Sequence, residues 1–491
     1  MQPIRADAAA RTVRGGDSTG WGQSFSRVRD AFYEAGTGAR AGMHVPARIV
    51  ADEVLFRQLS RDRSIEQLLN VATLPGLVGC VVGMPDMHEG YGFPVGGVAA
   101  TTLEGGVISP GGIGFDINCG VRLLATDLSR DGLDVEVVLH QLMRSIPAGY
   151  GHGGRLTLST AEIDRVLEGG AQEIVRRLEL GVDDDLERIE ARGCLMGASA
   201  SAVSERAKER GRDQLGTLGG GNHFLELQRV QAIFDTEAAR ALGLWLDQVT
   251  VLVHTGSRGL GHQVCTDHVR AMDASLARYG ISLPDRQLAC APFKSPEGQA
   301  YFAAMCAAAN FAFANREVLT HRVREVFRRE IPNATVRVVY DVAHNIAKIE
   351  EHLDRRLCVH RKGATRAFGP GDPELPPVYR SVGQPVLIPG SMGTASFVLV
   401  GRGASAASFS SACHGAGRAL SRTAAKSQVR GGELRKDLAL HGIAVRCPSN
   451  AELAEEAPLA YKDVERVVDV VHRAGLARKV ARLVPIGVLK G

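Results

Sequence analysis

Short apolar runs separated by glycine-rich turns dominate residues 81–125. "CVVGMPDMHEGYGFPVGGVAA" and "GVISPGGIGFDINCGVRLLAT" each read as strand, loop, strand, because the runs are too short for helices and are bounded by Gly and Pro. "VTVLVH" predicts a strand ending at His254 and running straight into "TGSRGLGH". "TVRVVYDVAHN" is a strand that stops at a histidine, and "PVLIPGSMGTASFVLVG" is strand, Gly-rich turn, strand. Helical spacing appears elsewhere. Ser159 caps a helix, Glu162 closes a capping box, and Ile163, Val166 and Leu167 begin its apolar face. Residues 302–329 form the longest helical stretch, Ala-rich and then basic. Val464, Val467, Val468 and Val471 mark a last helix with Gly475 as its stop.

Strands and helices do not alternate regularly, so neither a doubly wound sheet nor a (β/α)8 barrel is indicated. The pattern predicts an α+β chain: one large mixed domain over residues 43–491, with central β-sheets flanked by helices. Residues 1–42 are rich in Gly, Ala, Arg and Ser with little periodicity, and read as a disordered extension.

Composition narrows the class. The chain has 491 residues, 45% hydrophobic and 23% charged, enough for a sizeable core without disulfides. Its 58 basic and 54 acidic residues give a net charge of +4, which permits a nucleic-acid partner without arguing for one. Nine cysteines, an odd count with no CxxC, and no legible secretory signal predict a reducing, cytoplasmic compartment. The apolar runs are strand-sized, so no membrane span is expected.

Candidate chemistry lies at strand ends. Asp116 and Cys119 share "GFDINCGVR", His223 lies in "GGGNHFLEL", His254 in "VHTGSRGLGH" and His344 in "DVAHNIAK". Any one of these can be an ordinary hydrogen-bonded core residue. Together they suggest one or two metal sites, and a thiolate among imidazoles points by softness to zinc. "SPGGIGFD", "LGGGNH", "PGSMGTAS" and "CHGAGR" are either tight turns or phosphate cradles. In "CHGAGRALSRTAAKS" a helix is expected to begin just after the glycines, which would put His414 at its N-terminus and Arg418 and Arg422 on one face. An uncrowded imidazole there could attack phosphorus; it could equally cap its own loop.

These segments, with "EEAPLAYKD" and "GVLKG", stand in the same order as in the RtcB family of RNA-splicing ligases, which the chain resembles over residues 43–491. The resemblance implies an RtcB-type fold and an enzyme that joins RNA 2′,3′-cyclic phosphate or 3′-phosphate ends to 5′-hydroxyl ends with GTP and two Mn²⁺. It replaces zinc by manganese. It implies one ion on Asp116, Cys119 and His223 and a second on Cys119, His254 and His344, with His414 as the guanylylated nucleophile. The matching nucleotide contacts are Asn222, His223, Phe224, Leu225, Glu226, His344, Asn345, Pro389, Gly390, Ser391, Met392, Ser396, Gly415, Ala416, Gly417, Tyr461 and Lys490. Tyr461 would stack on guanine, and the Glu226 carboxylate would accept from guanine N1–H and the exocyclic amine, where adenine offers a lone pair. Activity is then expected to fall below about 6.5, the ordinary imidazole pKa. An archease-type activator accompanies some family members. Asp86 and His88 stay open between a turn and a place beside the site, and His262 is read as structural. Val484 departs from the pattern, where a basic surface residue is expected. A dinuclear phosphoesterase or nuclease, or a non-catalytic RNA-binding copy, would use many of the same residues.

Overall fold

The computed structural model describes residues 20–149 and 151–491. Two sheets carry the architecture. The first has seven strands in the order Ser26–Arg29, Phe32–Ala35, Ala47–Val50, Val81–His88, Val95–Thr102, Arg355–Lys362, Asn345–His352. The second has eight. Val336–Ala343, Gly120–Ser129, Gln248–Thr255, Phe224–Ile233, Ala477–Lys490, Ser396–Gly401 and Pro385–Ile388 lie side by side, and Ala444–Arg446 pairs in parallel with Ala477–Lys490. One crossing between the sheets takes a single residue, because Val336–Ala343 is the edge of the second sheet and Asn345–His352 the edge of the first. That residue is His344. The α+β class and the single mixed body expected from the pattern are what the chain builds.

Helices cover the sheets. Pro296–Glu330 starts where the Ser295 hydroxyl accepts from the Gly298 amide, with Pro296 in the first turn. Its Ala-rich middle is buried, which lets Thr160–Arg176 pack closely along it. The capping box of Ser159 and Glu162 is formed. Val464–Arg473 buries Val464, Val467, Val468, Val470 and Val471, and Gly475 follows with φ of 73°. Among the described residues no helix is long and apolar enough to cross a membrane. All nine cysteines are unpaired.

Two expectations change. The extension is expected to run to residue 42, yet Ser26–Arg29 and Phe32–Ala35 are strands of the first sheet. Phe32–Ala35 pairs antiparallel with Ala47–Val50, Phe32 is buried, and Tyr33 stacks on Phe56 at 4.0 Å. A strand of four residues is too short to show a period, but two aromatic side chains anchor it. Residues 1–19 lie outside the described residues. Val484 is buried on the Ala477–Lys490 strand opposite Arg229, so the position holds a core side chain rather than a surface contact.

Candidate active site

Register brings the candidate ligands together. Gly120 pairs with Thr255 and with Ala343, Val121 with His254, and Phe224 with His254. Four neighbouring strands of one sheet are therefore aligned at their ends. Cys119, His223, His254 and His344 stand at that common edge, and Asp116 reaches it from the preceding turn.

Cys119 Sγ lies 3.4 Å from His223 Nε2 and 3.3 Å from His254 Nε2. His254 and His344 face each other through their Nε2 atoms at 3.3 Å, and His223 Nε2 is 2.8 Å from Asp116 Oδ2. The donors form two triplets that share Cys119: Asp116, Cys119 and His223, and Cys119, His254 and His344. Burial and then the neighbouring imidazoles hold His254 well below the ordinary imidazole value; burial, His414 and His254 do the same for His344. Burial would raise Asp116, but the adjacent His223 overcomes it and keeps the carboxyl well below the usual range. Burial and Asp116 push the Cys119 thiol up. Two neutral imidazoles aimed at one another can share at most one proton, and a buried thiol beside a carboxylate ionises only with a cation. The donor set fits a metal ion in each triplet.

Surrounding groups fix these ligands. A Cβ on Gly256 would clash with the Asp116 carboxylate, so glycine there permits the approach. The Arg258 guanidinium donates to Thr217 Oγ1 at 3.1 Å and lies 3.4 Å from His223 Nδ1. Fully buried Arg316 donates to the carbonyls of Asn118 and Thr255, each at 2.9 Å, and pairs with Asp341.

His414 follows the short strand Ser411–Cys413. Its Nδ1 is 2.6 Å from Asp86 Oδ2, which also accepts from the His414 amide at 3.1 Å. Its ring centroid is 4.7 Å from that of His344. The expected helix does not begin after the glycines; it runs from Arg422 to Gln428. Gly417 has φ of 74°, its α-carbon lies against the Asp86 backbone, and its carbonyl accepts from the Lys462 amide at 2.9 Å, so no helix can start there. Arg418 and Arg422 thus share no helical face, yet both reach Glu456, at 3.0 and 3.3 Å.

One cavity of about 260 Å³ joins these groups. Asp116, Cys119, His254, His344 and His414 line it, as do Asn222, Phe224, Glu226, Asn345, Pro389, Gly390, Ser391, Met392, Gly415, Ala416, Gly417, Tyr461 and Lys490. Glu226 is buried, and that burial, opposed by a bond from Gln228 Nε2 at 2.8 Å and by Lys490, pushes its carboxyl up to about 8. Lys490 Nζ donates to the carbonyls of Gly221 and His223, and Tyr461 hydrogen-bonds Glu456. Asn345 is tied by its side chain to Asp116 O and the Gly363 amide. Three of the nucleotide candidates do not line the cavity: His223 belongs to the ligand cluster behind it, and Ser396 and Leu225 face elsewhere. Ser396 Oγ accepts from Gln228 and from the Gly390 amide, supporting the wall. Leu225 points into the core on the opposite face of its strand, as alternation between Phe224 and Glu226 requires.

Sequence reasoning missed Lys362, Arg258 and Glu456. Lys362 lines the cavity, donates to the carbonyls of Tyr91 at 2.6 Å and Phe93 at 2.9 Å, and is pushed by burial down to about 7. It ends a regular strand, and nothing in its spacing separates it from a surface lysine.

A family model described as "tRNA-splicing ligase RtcB" matches residues 67–491. The "tRNA-splicing ligase RtcB" of Thermococcus kodakarensis is 53% identical over 460 residues, 91% of this chain and 95% of that protein. That of Archaeoglobus fulgidus is 50% identical over 478 residues, 95% and 99% of the two chains. The "RNA-splicing ligase RtcB" of Mycobacterium tuberculosis is 54% identical over 434 residues, 87% of this chain and 100% of that one. With a paired thiol and imidazole cluster, a carboxylate-held histidine and this extent of similarity, the chain belongs to the RtcB family.

Proposed function

We propose that this protein is an RNA ligase that uses GTP and two Mn²⁺ to join RNA 2′,3′-cyclic phosphate or 3′-phosphate ends to 5′-hydroxyl ends. The observation that carries the reading is the position of His414. It is held by Asp86 beside the five metal-ligand candidates, in a cavity that also contains a buried carboxylate suited to guanine.

Asp116, Cys119 and His223 would hold one Mn²⁺, and Cys119, His254 and His344 the other. The ions would neutralise phosphate charge and lower the pKa of an attacking oxygen. The protein's own residues do the rest. Asp86 lies against the Nδ1 side of His414, leaving Nε2 to attack the α-phosphorus of GTP in line and expel pyrophosphate. The N–H groups of Gly415 and Gly417 and the side chain of Asn222 would take the phosphates, the Ala416 N–H being donated to the Pro389 carbonyl, while Glu226, Tyr461 and Lys490 would take the base. A cyclic phosphate is first hydrolysed, water adding to phosphorus and the 2′-oxygen leaving as the hydroxyl, to give the 3′-phosphate that accepts GMP from His414; the 5′-hydroxyl then attacks and GMP leaves. An archease-type activator is a candidate partner. The free cysteines fit a cytoplasmic setting.

The test is covalent labelling with GTP radiolabelled at the α-phosphate and Mn²⁺, alongside His414→Ala and with ATP as competitor. A band on the wild type alone, stable to alkali and lost in acid, is expected. A protein that binds Mn²⁺, takes no label and cleaves phosphodiesters with or without His414 would instead be a dinuclear phosphoesterase.

A further inference from the structure

We propose that His262, stacked on Phe115, presents a platform for an unpaired nucleobase at the RNA end being sealed; this rests on the ligase reading above. Phe115 directly precedes Asp116 and lines the same cavity as His414. The Tyr91 ring meets it edge-on at 5.1 Å and 71°, and the His262 ring lies nearly parallel to it at 4.8 Å and 26°. Tyr91 and Phe115 are half-buried and His262 is exposed, so the stack runs from the cavity wall to solvent. Three rings assembled only for packing would be expected to close off from water. Here the outermost ring is left open beside the reacting groups, and a base has a π-face that such a ring can take without regard to sequence.

The charges around the stack fit a nucleic acid. Arg258 opens the helix that carries His262. Exposed Arg210 is held by Gln263 at 3.0 Å and lies along the same turn, where Gly259 leaves room for it. The Arg210 guanidinium therefore lies beside the outermost ring, as a phosphate next to a stacked base would require. Burial, and then Arg210, lower His262 below its ordinary value, and Asp116 only partly opposes them. The ring is neutral near neutral pH and offers a stacking face rather than a charge. His262 thus acquires a role that its sequence context, a histidine one turn into a helix, does not show.

The experiment uses full-length protein with Mn²⁺ and fluorescent single-stranded RNAs, some ending in a 3′-phosphate and some in a 5′-hydroxyl. In each, the terminal nucleotide is either intact or abasic, and Kd is read by anisotropy. Removing the base at one of the two ends should weaken wild-type binding by about tenfold, the order expected of one base on one ring. His262→Ala should bind the intact RNA as weakly as wild type binds the abasic one and should not discriminate between them, whereas His262→Phe should discriminate like wild type. Guanylylation of His414, which needs no RNA, is measured on every variant. Its failure in wild type would remove the ligase reading while leaving the binding result readable. Equal sensitivity of wild type and His262→Ala to base removal at both ends would overturn the platform.

Discussion

The nucleophile and its carboxylate define the residue scale. Asp86 Oδ2 touches Nδ1 and accepts from the backbone amide of His414, so it holds the ring in place. Asp86→Asn keeps the size but offers the wrong partner to Nδ1, and should slow guanylylation by about 100-fold or more. Mn²⁺ binding, followed by electron paramagnetic resonance, should be unchanged, because Asp86 is not in the ligand cluster. Glu226 makes a second prediction. Its carboxyl stands at about 8 in the free protein, while guanine N1–H requires the ionised form. Nucleotide binding near neutral pH should therefore release a proton, and GTP affinity should rise as pH climbs towards 8. Calorimetry in buffers of different ionisation enthalpy measures that proton directly. The same shift means the native state holds a proton that the unfolded chain gives up. The stability from this group is full below the ordinary carboxyl pKa and is lost as pH rises through about 8. Glu226→Gln should remove both effects and cost about 2 kcal/mol of GTP binding, ~30-fold.

Elements set these residues in place, and they were legible to different degrees. Cys119, His223, His254 and His344 could be found because each stands at the end of an alternating apolar run beside Gly or Asn. That signal marks a sheet edge. What brings the four ends level is register, which no local pattern encodes, and for the same reason Lys362 and Arg258 went unseen. The helix expected after "CHGAGR" failed on a tertiary ground: the Asp86 backbone packs against Gly417 and the Lys462 amide takes its carbonyl. Gly417→Ala tests this. A Cβ would strike the Asp86 backbone at a positive φ, so the variant should lose about 1–3 kcal/mol in denaturant unfolding and most of its guanylylation. Full activity with unchanged stability would mean that this loop is not held as described.

For the whole molecule, the joint between the two sheets matters most. His344 is a one-residue crossing, and Asp341, three residues earlier, anchors it to Arg122 and Arg316 at 2.7 and 2.8 Å. All three side chains are fully buried, and Arg316 also ties down the carbonyls beside Cys119 and His254. Arg316→Met would leave Asp341 short of a partner and free those strand ends. A loss of about 3–5 kcal/mol of stability is expected, together with weaker Mn²⁺ binding; denaturant titration and paramagnetic resonance report the two separately.

The strand Ala477–Lys490 has a further consequence, one of time. It lies between Phe224–Ile233 and Ser396–Gly401, pairs with both, and carries Lys490 into the cavity. During synthesis those two strands leave the ribosome long before the one that joins them. Until it arrives each keeps a bare edge, and one wall of the nucleotide pocket does not exist. The nascent chain therefore cannot acquire its pocket by instalments: the second sheet closes and the pocket is completed in one late event, and chaperone demand should peak just before it.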